Sequence, residues 1–317
     1  HCLSTLGIER VGQMKFLTDL HLLRELQEQT REFLRIQEEE EDFPEQDFYD
    51  VRPAIKRIRI EGTYLDETEL FDLKRSLCTI INIVRFLNKD TEEDNGTEEN
   101  RPGDDASVPY PALRRLTQGV SVYPQLVRRI ESILDKYGKI KDSASAELLR
   151  IRRELVAAES GISRTLHAIL RNAQQDGVVD KDVTPTMRDG RLVIPVAPAL
   201  KRKIVHDESA TGRTVFIEPA EVVEANNRIR ELEGEERREI IRILQEFTAE
   251  VRPHYQEILQ SYEFLAEIDF IHAKAGLARQ FNATTPDIKG APLIDWTLAR
   301  HPLLYLSLTR HGKKIVP

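Results

Sequence analysis

The sequence predicts a mainly α-helical protein in which two long antiparallel lever helices carry a small β-containing head at their tip. The first observation is that apolar residues recur every three or four positions from Ser143 to Gln174, and again from Val222 to Val251. The second is that only the stretch between them, Met187 to Glu224, has a β-strand pattern. Each lever helix would be about 45 Å long at about 1.5 Å per residue.

Two short β-type runs lie in this head, Arg191–Ile194 and Thr214–Ile217. Each run stops at or just before a proline, Pro195 and Pro219. A proline has no backbone N–H to donate to a neighbouring strand. We therefore expect both strands to end there or to lie at an edge of the sheet.

The residues before the lever helices predict a group of shorter helices. Ser4 to Met14 predicts a short helix, and Thr18-Asp19 caps a longer one that ends in the acidic run Glu38–Glu41. The segment Arg52–Ile60 fits either one helical turn or a strand. At Asp66–Glu69 another helix begins, since acidic side chains favour the positive end of the helix dipole.

After the second apolar pattern, which ends at Val251, Arg252-Pro253 predicts a kink, because proline removes an internal hydrogen bond of the helix. The helical pattern then continues to about Gln280. The segment Glu233–Glu239 contains no apolar residue. We expect it to be exposed and able to flex, with Gly234 lowering the local helix propensity. The run Leu303–Leu308 predicts a strand.

The acidic segment from Lys89 to Val108 has almost no apolar residues and predicts a disordered loop, to which we assign no role. The whole pattern divides the chain into five predicted parts: a helical core and connector at 1–142, an ascending lever helix at 143–186, the β head at 187–220, a descending lever helix with further core at 221–285, and the start of another domain at 286–317.

The composition limits the classes of protein to which the chain can belong. The 317 residues are 40% hydrophobic and 32% charged, which is enough to bury a core. No run of about 18 apolar residues is present, so we expect no membrane contact. The two cysteines have no spacing typical of a zinc site and favour a reducing, cytoplasmic location.

Although the net charge of the chain is −8, the predicted head is basic. Six basic side chains lie between positions 188 and 213, against three acidic ones; the basic residues are Arg188, Arg191, Lys201, Arg202, Lys203 and Arg213. Lysine and arginine on phosphates release counterions without reading any base, so this head fits contact with a nucleic-acid backbone. A solvated loop is the alternative.

Catalytic chemistry is not evident in the sequence. It contains no phosphate-binding loop of the GxxxxGK[ST] type, no GxGxxG, no HExxH and no GxSxG. His167 and His272 fall on predicted helices and are interpreted as packed or surface residues. The polar cluster His206–Ser209 is interpreted as a set of loop side chains that stabilise a β-turn, in preference to a metal site or a nucleophile.

Several runs resemble a known family. They are Asp180–Thr186, Arg188–Val196, Val205–Pro219, Glu224–Leu232 and Leu298–Leu304. Together they are similar to the second MutS family of bacteria, the paralogue without a mismatch-recognition domain. Two features depart from it: the link from Lys203 to Val205 is shorter than expected, and the acidic segment has no counterpart.

The resemblance implies a MutS-like helical core and lever helices with a clamp at their tip. It also implies that an ATPase domain, which would use ATP and Mg²⁺, begins near His301–Leu304, and that a Smr-type endonuclease domain follows outside these residues. Expected partners are branched or duplex DNA, the RNA of collided ribosomes, and a second copy in a homodimer. The expected roles are suppression of homologous recombination, DNA repair and ribosome rescue.

On this interpretation the residues of the chain itself are a non-catalytic arm that holds no cofactor or metal. The predicted nucleic-acid contacts are Lys201, Arg202, Lys203, His206 and Arg213, with Arg188 and Arg191 behind them. The alternative is a protein-interaction scaffold whose head touches no nucleic acid.

Overall fold

The computed structural model describes residues 1–40, 42–89, 109–176, 179–188, 191–196, 205–208 and 215–313. Helices make up most of this part of the chain, so the prediction of a mainly α-helical fold is confirmed. In chain order they are α1 (Thr5–Gly12), α2 (Leu20–Glu39), α3 (Arg52–Arg57), α4 (Glu67–Leu87), α5 (Pro111–Leu116), α6 (Pro124–Ile133), α7 (Ala146–Gln175), α8 (Ala220–Val251), α9 (Tyr255–Phe281) and α10 (Pro302–Arg310). The strands are β1 (Thr186–Arg188), β2 (Arg191–Val196), β3 (Val205–Glu208) and β4 (Val215–Ile217).

The chain divides into two compact units. The terminal unit comprises His1–Glu131 and Phe247–Pro317, and the central unit comprises Ser132–Glu246. The five predicted parts are a finer division that stays a prediction. In the described part of both units, no helix combines the length and the apolar character needed to cross a bilayer.

Helix α9 is the centre of the terminal unit and packs against α1, α2 and α3. Its side chains Tyr262, Leu265 and Ile268 are fully buried. Between α8 and α9 the residues Arg252–His254 form a single 3₁₀ turn with a proline at its start, where the sequence predicts a kink.

Side-chain caps begin several helices of the terminal unit. The Ser4 hydroxyl accepts a hydrogen bond from the Leu6 N–H at 3.1 Å, and the Asp19 carboxylate accepts one from the Leu22 N–H at 2.9 Å. Asp66 forms a reciprocal capping box with Glu69 at the start of α4. The three helix starts that the sequence predicts are therefore found with their caps.

In two segments of the terminal unit, the structure decides between alternatives or overturns a prediction. The segment Arg52–Ile60, for which the sequence allowed two alternatives, contains helix α3 with Pro53 in its first turn. The predicted strand at Leu303–Leu308 is wrong, because these residues lie in α10. Pro302 occupies the first turn of α10, and the leucines that follow are good helix formers.

In the central unit, α7 and α8 pack side by side in antiparallel directions. Polar pairs fix the register: the Ser145 hydroxyl donates to Glu239 at 2.6 Å, and Arg152 donates to Glu236 at 2.7 Å. Between the helices lies one apolar cluster, formed by Ile151, Leu155, Ile162, Leu166, Leu170, Ile194, Val222, Ile229 and Leu232. The two apolar helix faces that the sequence pattern predicted for the lever helices meet in this cluster.

The expectation that Glu233–Glu239 is exposed is wrong for part of the segment. Helix α8 continues through Gly234 without a break, and Glu239 is only 7% exposed. Arg242 donates a hydrogen bond to Glu239 at 2.6 Å and holds the pKa of this carboxyl below its ordinary value. The partners of these acidic residues lie on α7 and on the next turn of α8, which apolar periodicity alone does not reveal.

Within the described residues, the four strands form one antiparallel sheet in the order β1-β2-β4-β3. The predicted runs correspond to β2 and β4, whereas the sequence did not predict β1 and β3. Strand β2 passes through Pro195 to Val196, so the expected end at this proline is wrong. The alternative expectation of an edge strand is not met either, because β2 lies between β1 and β4. Since β1 pairs only with Arg191–Val193, however, Pro195 has a paired strand among the described residues on the β4 side alone.

Candidate nucleic-acid interface

The register of the strands distinguishes two ends of the head sheet. At one end Ile194 pairs with Ile217, and Val205 pairs with the same residue from the other side. The chain leaves this end of β4 and enters α8 within three residues. At the opposite end, Val196 and Glu208 both pair with Val215. We call these the helix end and the outer end of the sheet.

A buried ion pair holds the sheet on α8. Arg191 donates to the Glu218 carboxylate at 2.6 Å and to the Asn227 side-chain oxygen at 3.0 Å. The Asn226 side-chain amide donates to the other oxygen of Glu218 at 2.8 Å. Only 16% of the Arg191 side chain and 3% of the Glu218 side chain are exposed. The start of β2 is therefore joined to the first two turns of α8 by charge-assisted hydrogen bonds.

The environment of Arg191 thus differs from the sequence prediction, which placed this residue behind the contact residues with its charge available to bind phosphate. Its charge is compensated by Glu218, and its Nε is buried without a partner among the described residues. The geometry assigns Arg191 to positioning the head. A direct contact of Arg191 with nucleic acid stays a prediction.

Arg188 lies in a different environment, at the exposed end of β1. Its guanidinium carbon lies 5.3 Å from the ring centroid of Phe216 on β4. A guanidinium over an aromatic face is attracted by the electron density of the ring and keeps its charge. Arg188 is therefore placed on the sheet itself, and its side chain is largely accessible to solvent.

His206 lies on β3 at an irregular point of the ladder. The pairing of β3 with β4 shifts register between Val205 and Asp207, so His206 is the residue that the ladder skips. A bulge of this kind bends the strand locally and is common at the edge of a sheet. The four remaining predicted contacts lie outside the described residues: Lys201, Arg202 and Lys203 between β2 and β3, and Arg213 between β3 and β4.

Sequence reasoning missed the groups that fix the head, Glu218, Asn226 and Asn227. All three belong to the runs that carry the family resemblance, but none was given a role. A signal was present: an acidic residue directly before Pro219 and the helix start, opposite a basic strand residue. Among the described residues there is no group of three or more histidine, cysteine or acidic side chains that could hold a metal ion.

The central unit is an antiparallel helix pair that carries a small sheet at its connected end, which is the lever and head that the resemblance to MutS proteins implies. No known family model matches the chain. Three similar proteins are each named Endonuclease MutS2: that of Enterococcus faecalis is 33% identical over 301 residues, that of Shouchella clausii 32% over 307, and that of Pelotomaculum thermopropionicum 34% over 308. These matches cover 94%, 96% and 95% of this chain.

The chain belongs to the MutS2 family. It spans little more than a third of the length of these relatives, 36% for the Enterococcus faecalis protein and 37% for the Shouchella clausii protein.

Proposed function

We propose that this chain is the lever and nucleic-acid clamp of a MutS2-type protein that acts on DNA. The head binds the phosphate backbone of a duplex or a branch, and the paired lever helices hold the head in a fixed orientation. The contacts are Lys201, Arg202, Lys203, His206 and Arg213, with Arg188 beside them. Arg191 holds the head in position.

The concentration of basic residues in the segments between the strands of the head is the observation that supports this proposal most directly. The segment 209–214 joins Glu208 to Val215, so both of its ends lie at the outer end. The segment 197–204 leaves the sheet at Val196, at the outer end, and the chain re-enters the sheet at Val205, at the helix end. These two segments contain four of the predicted basic contacts. Because the charge of Arg191 is already compensated by Glu218, we propose that the basic residues of the two connecting segments, and not Arg191, supply the cations that bind a long polyanion.

The lever supports the proposal through its rigidity. Ion pairs join the first third of α7 to α8, including Arg152–Glu236 and Arg228–Glu154, and the apolar cluster continues the contact toward the head. Exposed pairs of this kind add little stability individually, but they specify one register between the helices. A head on such a support keeps its orientation when it binds.

A salt titration tests the clamp. We expect the triple variant Lys201→Ala/Arg202→Ala/Lys203→Ala to bind a 20-base-pair duplex more weakly, and the slope of log affinity against log salt to fall by about two to three, roughly 0.9 for each phosphate that is no longer neutralised. The matched control is Arg153→Ala/Arg237→Ala/Arg238→Ala, which removes three exposed charges from the lever helices. Equal slopes for the wild type and the head variant would refute the clamp.

A protein-interaction scaffold is the second candidate function. It predicts that the head variant retains the wild-type salt slope on DNA and on RNA. The observation that favours the clamp over the scaffold is the concentration of basic residues in the two segments that connect β2 to β3 and β3 to β4.

We further propose roles for the longer protein. The relatives carry the name endonuclease, and we infer an endonuclease and ATPase that forms a homodimer, suppresses recombination and engages ribosomal RNA in ribosome rescue. ATP and Mg²⁺ would bind to parts that these residues do not supply, because the sequence lacks a phosphate-binding loop. Cys2 and Cys78 are both free thiols, which supports a reducing cytoplasm.

A further inference from the structure

A tight basic turn lies at the start of the lever, in the sequence Asp135-Lys136-Tyr137-Gly138-Lys139-Ile140-Lys141. An isolated bridge pairs Leu134 with Ile140, and the Asp135 N–H donates to the Lys139 carbonyl at 2.8 Å. Gly138 has a φ of 79°, a value that glycine adopts without strain. We call residues 135–141 the basic turn.

The basic turn is preorganised by its own acidic residue. One oxygen of the Asp135 carboxylate accepts hydrogen bonds from the Tyr137 N–H at 2.8 Å and the Lys139 N–H at 2.9 Å. These bonds hold the pKa of Asp135 below its ordinary value. Asp135 therefore acts mainly on the backbone, and the turn as a whole keeps a net charge of two, from three lysines against one aspartate.

The turn is also anchored to the lever. Arg152, in the second turn of α7, donates a hydrogen bond to the Ile140 carbonyl at 2.9 Å and another to the Asp142 carboxylate. The same arginine donates to Glu236 on α8. The basic turn is thus fixed at the end of α7 where this helix begins, and the head sheet follows the end where it finishes.

A large aromatic side chain projects from this fixed turn. Tyr137 is 73% exposed, and the ammonium group of Lys136 lies 4.9 Å from the centroid of its ring. Exposed tyrosine interleaved with lysine is typical of surfaces that bind single strands, where the ring stacks on a base and the cations contact phosphates. Packing against the described residues of the central unit does not account for a tyrosine at this position, because most of the residue is exposed.

We propose that the basic turn is a second nucleic-acid site, one that binds an unpaired strand. A base stacks on the face of the Tyr137 ring opposite Lys136. Lys136, Lys139 and Lys141 contact the neighbouring phosphates. The inference does not depend on the head, because the residues, the ligand and the mode of contact all differ from those of the clamp.

A fluorescent single strand tests the stacking contact. The probe is a 15-nucleotide oligo(dT) that carries one 2-aminopurine, whose emission is quenched when it stacks on an aromatic ring. We expect Tyr137→Ala to weaken binding about five- to tenfold and to abolish the quenching, whereas Tyr137→Phe retains both. Phe16→Ala, which removes a fully exposed aromatic ring from the terminal unit, is the matched control and should leave both unchanged.

The electrostatic contact has its own test. We expect Lys136→Gln/Lys139→Gln/Lys141→Gln to lower the salt slope for the single strand by about two, roughly 0.7 for each phosphate that the lysines neutralise. An oligo(rU) of equal length establishes whether the site distinguishes RNA from DNA. All variants are compared by circular dichroism, so that unfolding is separated from weaker binding by a folded protein.

The outcomes separate this site from the clamp. The turn variants should leave binding of a blunt duplex unchanged, and the head variant Lys201→Ala/Arg202→Ala/Lys203→Ala should leave the quenching by Tyr137 unchanged. The proposal is overturned if Tyr137→Ala binds the single strand as tightly as the wild type, or if Tyr137→Phe is as weak as Tyr137→Ala.

Discussion

Two buried carboxylates of the terminal unit act as caps for helices that are distant in sequence. Asp269 on α9 accepts hydrogen bonds from the backbone N–H groups of Leu3, Ser4 and Gly7 at 2.7 to 3.1 Å. Glu32 on α2 accepts two from the start of α5, and burial raises its pKa. Both satisfy N–H groups at a helix start that would otherwise have no partner.

The Asp269 cap requires a glycine at position 7. A Cβ atom built there would lie 2.5 Å from the Asp269 carboxyl carbon. We expect Gly7→Ala to lower the free energy of unfolding by about 1–3 kcal/mol, because the carboxylate must move away from four donors, three N–H groups and the Ser4 hydroxyl. Denaturant unfolding measures this. Gly12→Ala at the other end of α1, where no atom lies within 4 Å of the new Cβ, should cause no such loss.

His272 gives the terminal unit a pH dependence. Its side chain is 13% exposed, Nε2 lies 3.7 Å from Glu45, and Nδ1 is buried without a partner in the described part of the chain. Burial lowers its pKa below 6.5, although Glu45 and Asp269 oppose this. The unfolded chain therefore binds the proton more readily, and stability falls as the pH drops below about 6.5.

Replacing the imidazole should remove that dependence. We expect His272→Phe, which can still pack against Phe33, to flatten the decline of the melting temperature between about pH 6.5 and 5. The control is His167→Gln, at an exposed position of α7, which should retain the wild-type decline. A slope as steep in His272→Phe as in the wild type would contradict the assignment.

At the scale of the elements, the joint between β2 and α8 depends on one ion pair. Glu218→Gln keeps an acceptor for Asn226 but leaves the charge of Arg191 without its partner. We expect it to destabilise the central unit by about 3 kcal/mol, since breaking a buried pair costs more than deleting both charges.

A double variant separates the effect of the two charges from the effect of the volume that the two side chains fill. Arg191→Met/Glu218→Gln removes both charges and keeps most of the volume, so we expect it to be more stable than either single variant. A double-mutant cycle on thermal unfolding measures the coupling. Additive effects of the two substitutions would show that the ion pair does not join the sheet to the helix.

The lever helix α8 contains a glycine that the packing does not require. The new Cβ of Gly234→Ala would lie 3.4 Å from the end of the flexible Arg238 side chain, which is ordinary contact. We expect a gain of about 0.5–1 kcal/mol in the free energy of unfolding, because alanine loses less backbone entropy in a helix. Gly161→Ala on α7, in open space, should give a similar gain. A loss at position 234 alone would indicate a bend there.

The long elements were predictable from local signals. Residues only a few positions apart predict the apolar helix faces that meet in the central cluster. They also predict the helix caps at Ser4, Asp19 and Asp66. Pro302 could have corrected the strand at Leu303–Leu308, since a proline at the start of an apolar run favours a helix.

What the sequence could not predict depends on partners that are far away in the chain. Strands β1 and β3 have three and four residues and exist through their pairing with β2 and β4. The burial of Glu239 depends on Ser145, and the role of Arg191 depends on Glu218. At the site, the basic residues could be identified from the sequence, but the ion pair that makes Arg191 a positioning residue required the geometry, and contacts of the other basic residues with nucleic acid stay a prediction.

At the scale of the whole chain, the two proposed sites are joined by a single helix. The basic turn is anchored near the start of α7 and the head sheet follows its end, and 30 residues at about 1.5 Å span about 45 Å. A duplex of about 13 base pairs has this length at about 3.4 Å per base pair. A nucleic acid with a duplex part and an unpaired tail can therefore reach both sites at once.

Simultaneous binding should make a tailed duplex the preferred ligand. Once the head holds the duplex, the tail is presented to Tyr137 at a high effective concentration, so affinities combine without any new contact. We expect a 20-base-pair duplex with a 10-nucleotide tail to bind at least tenfold tighter than the blunt duplex or the tail alone, as measured by fluorescence anisotropy. Tyr137→Ala should reduce the tailed duplex to the affinity of the blunt one. If tailed and blunt duplexes bind equally, or if Tyr137→Ala weakens both alike, the two sites do not act on one ligand.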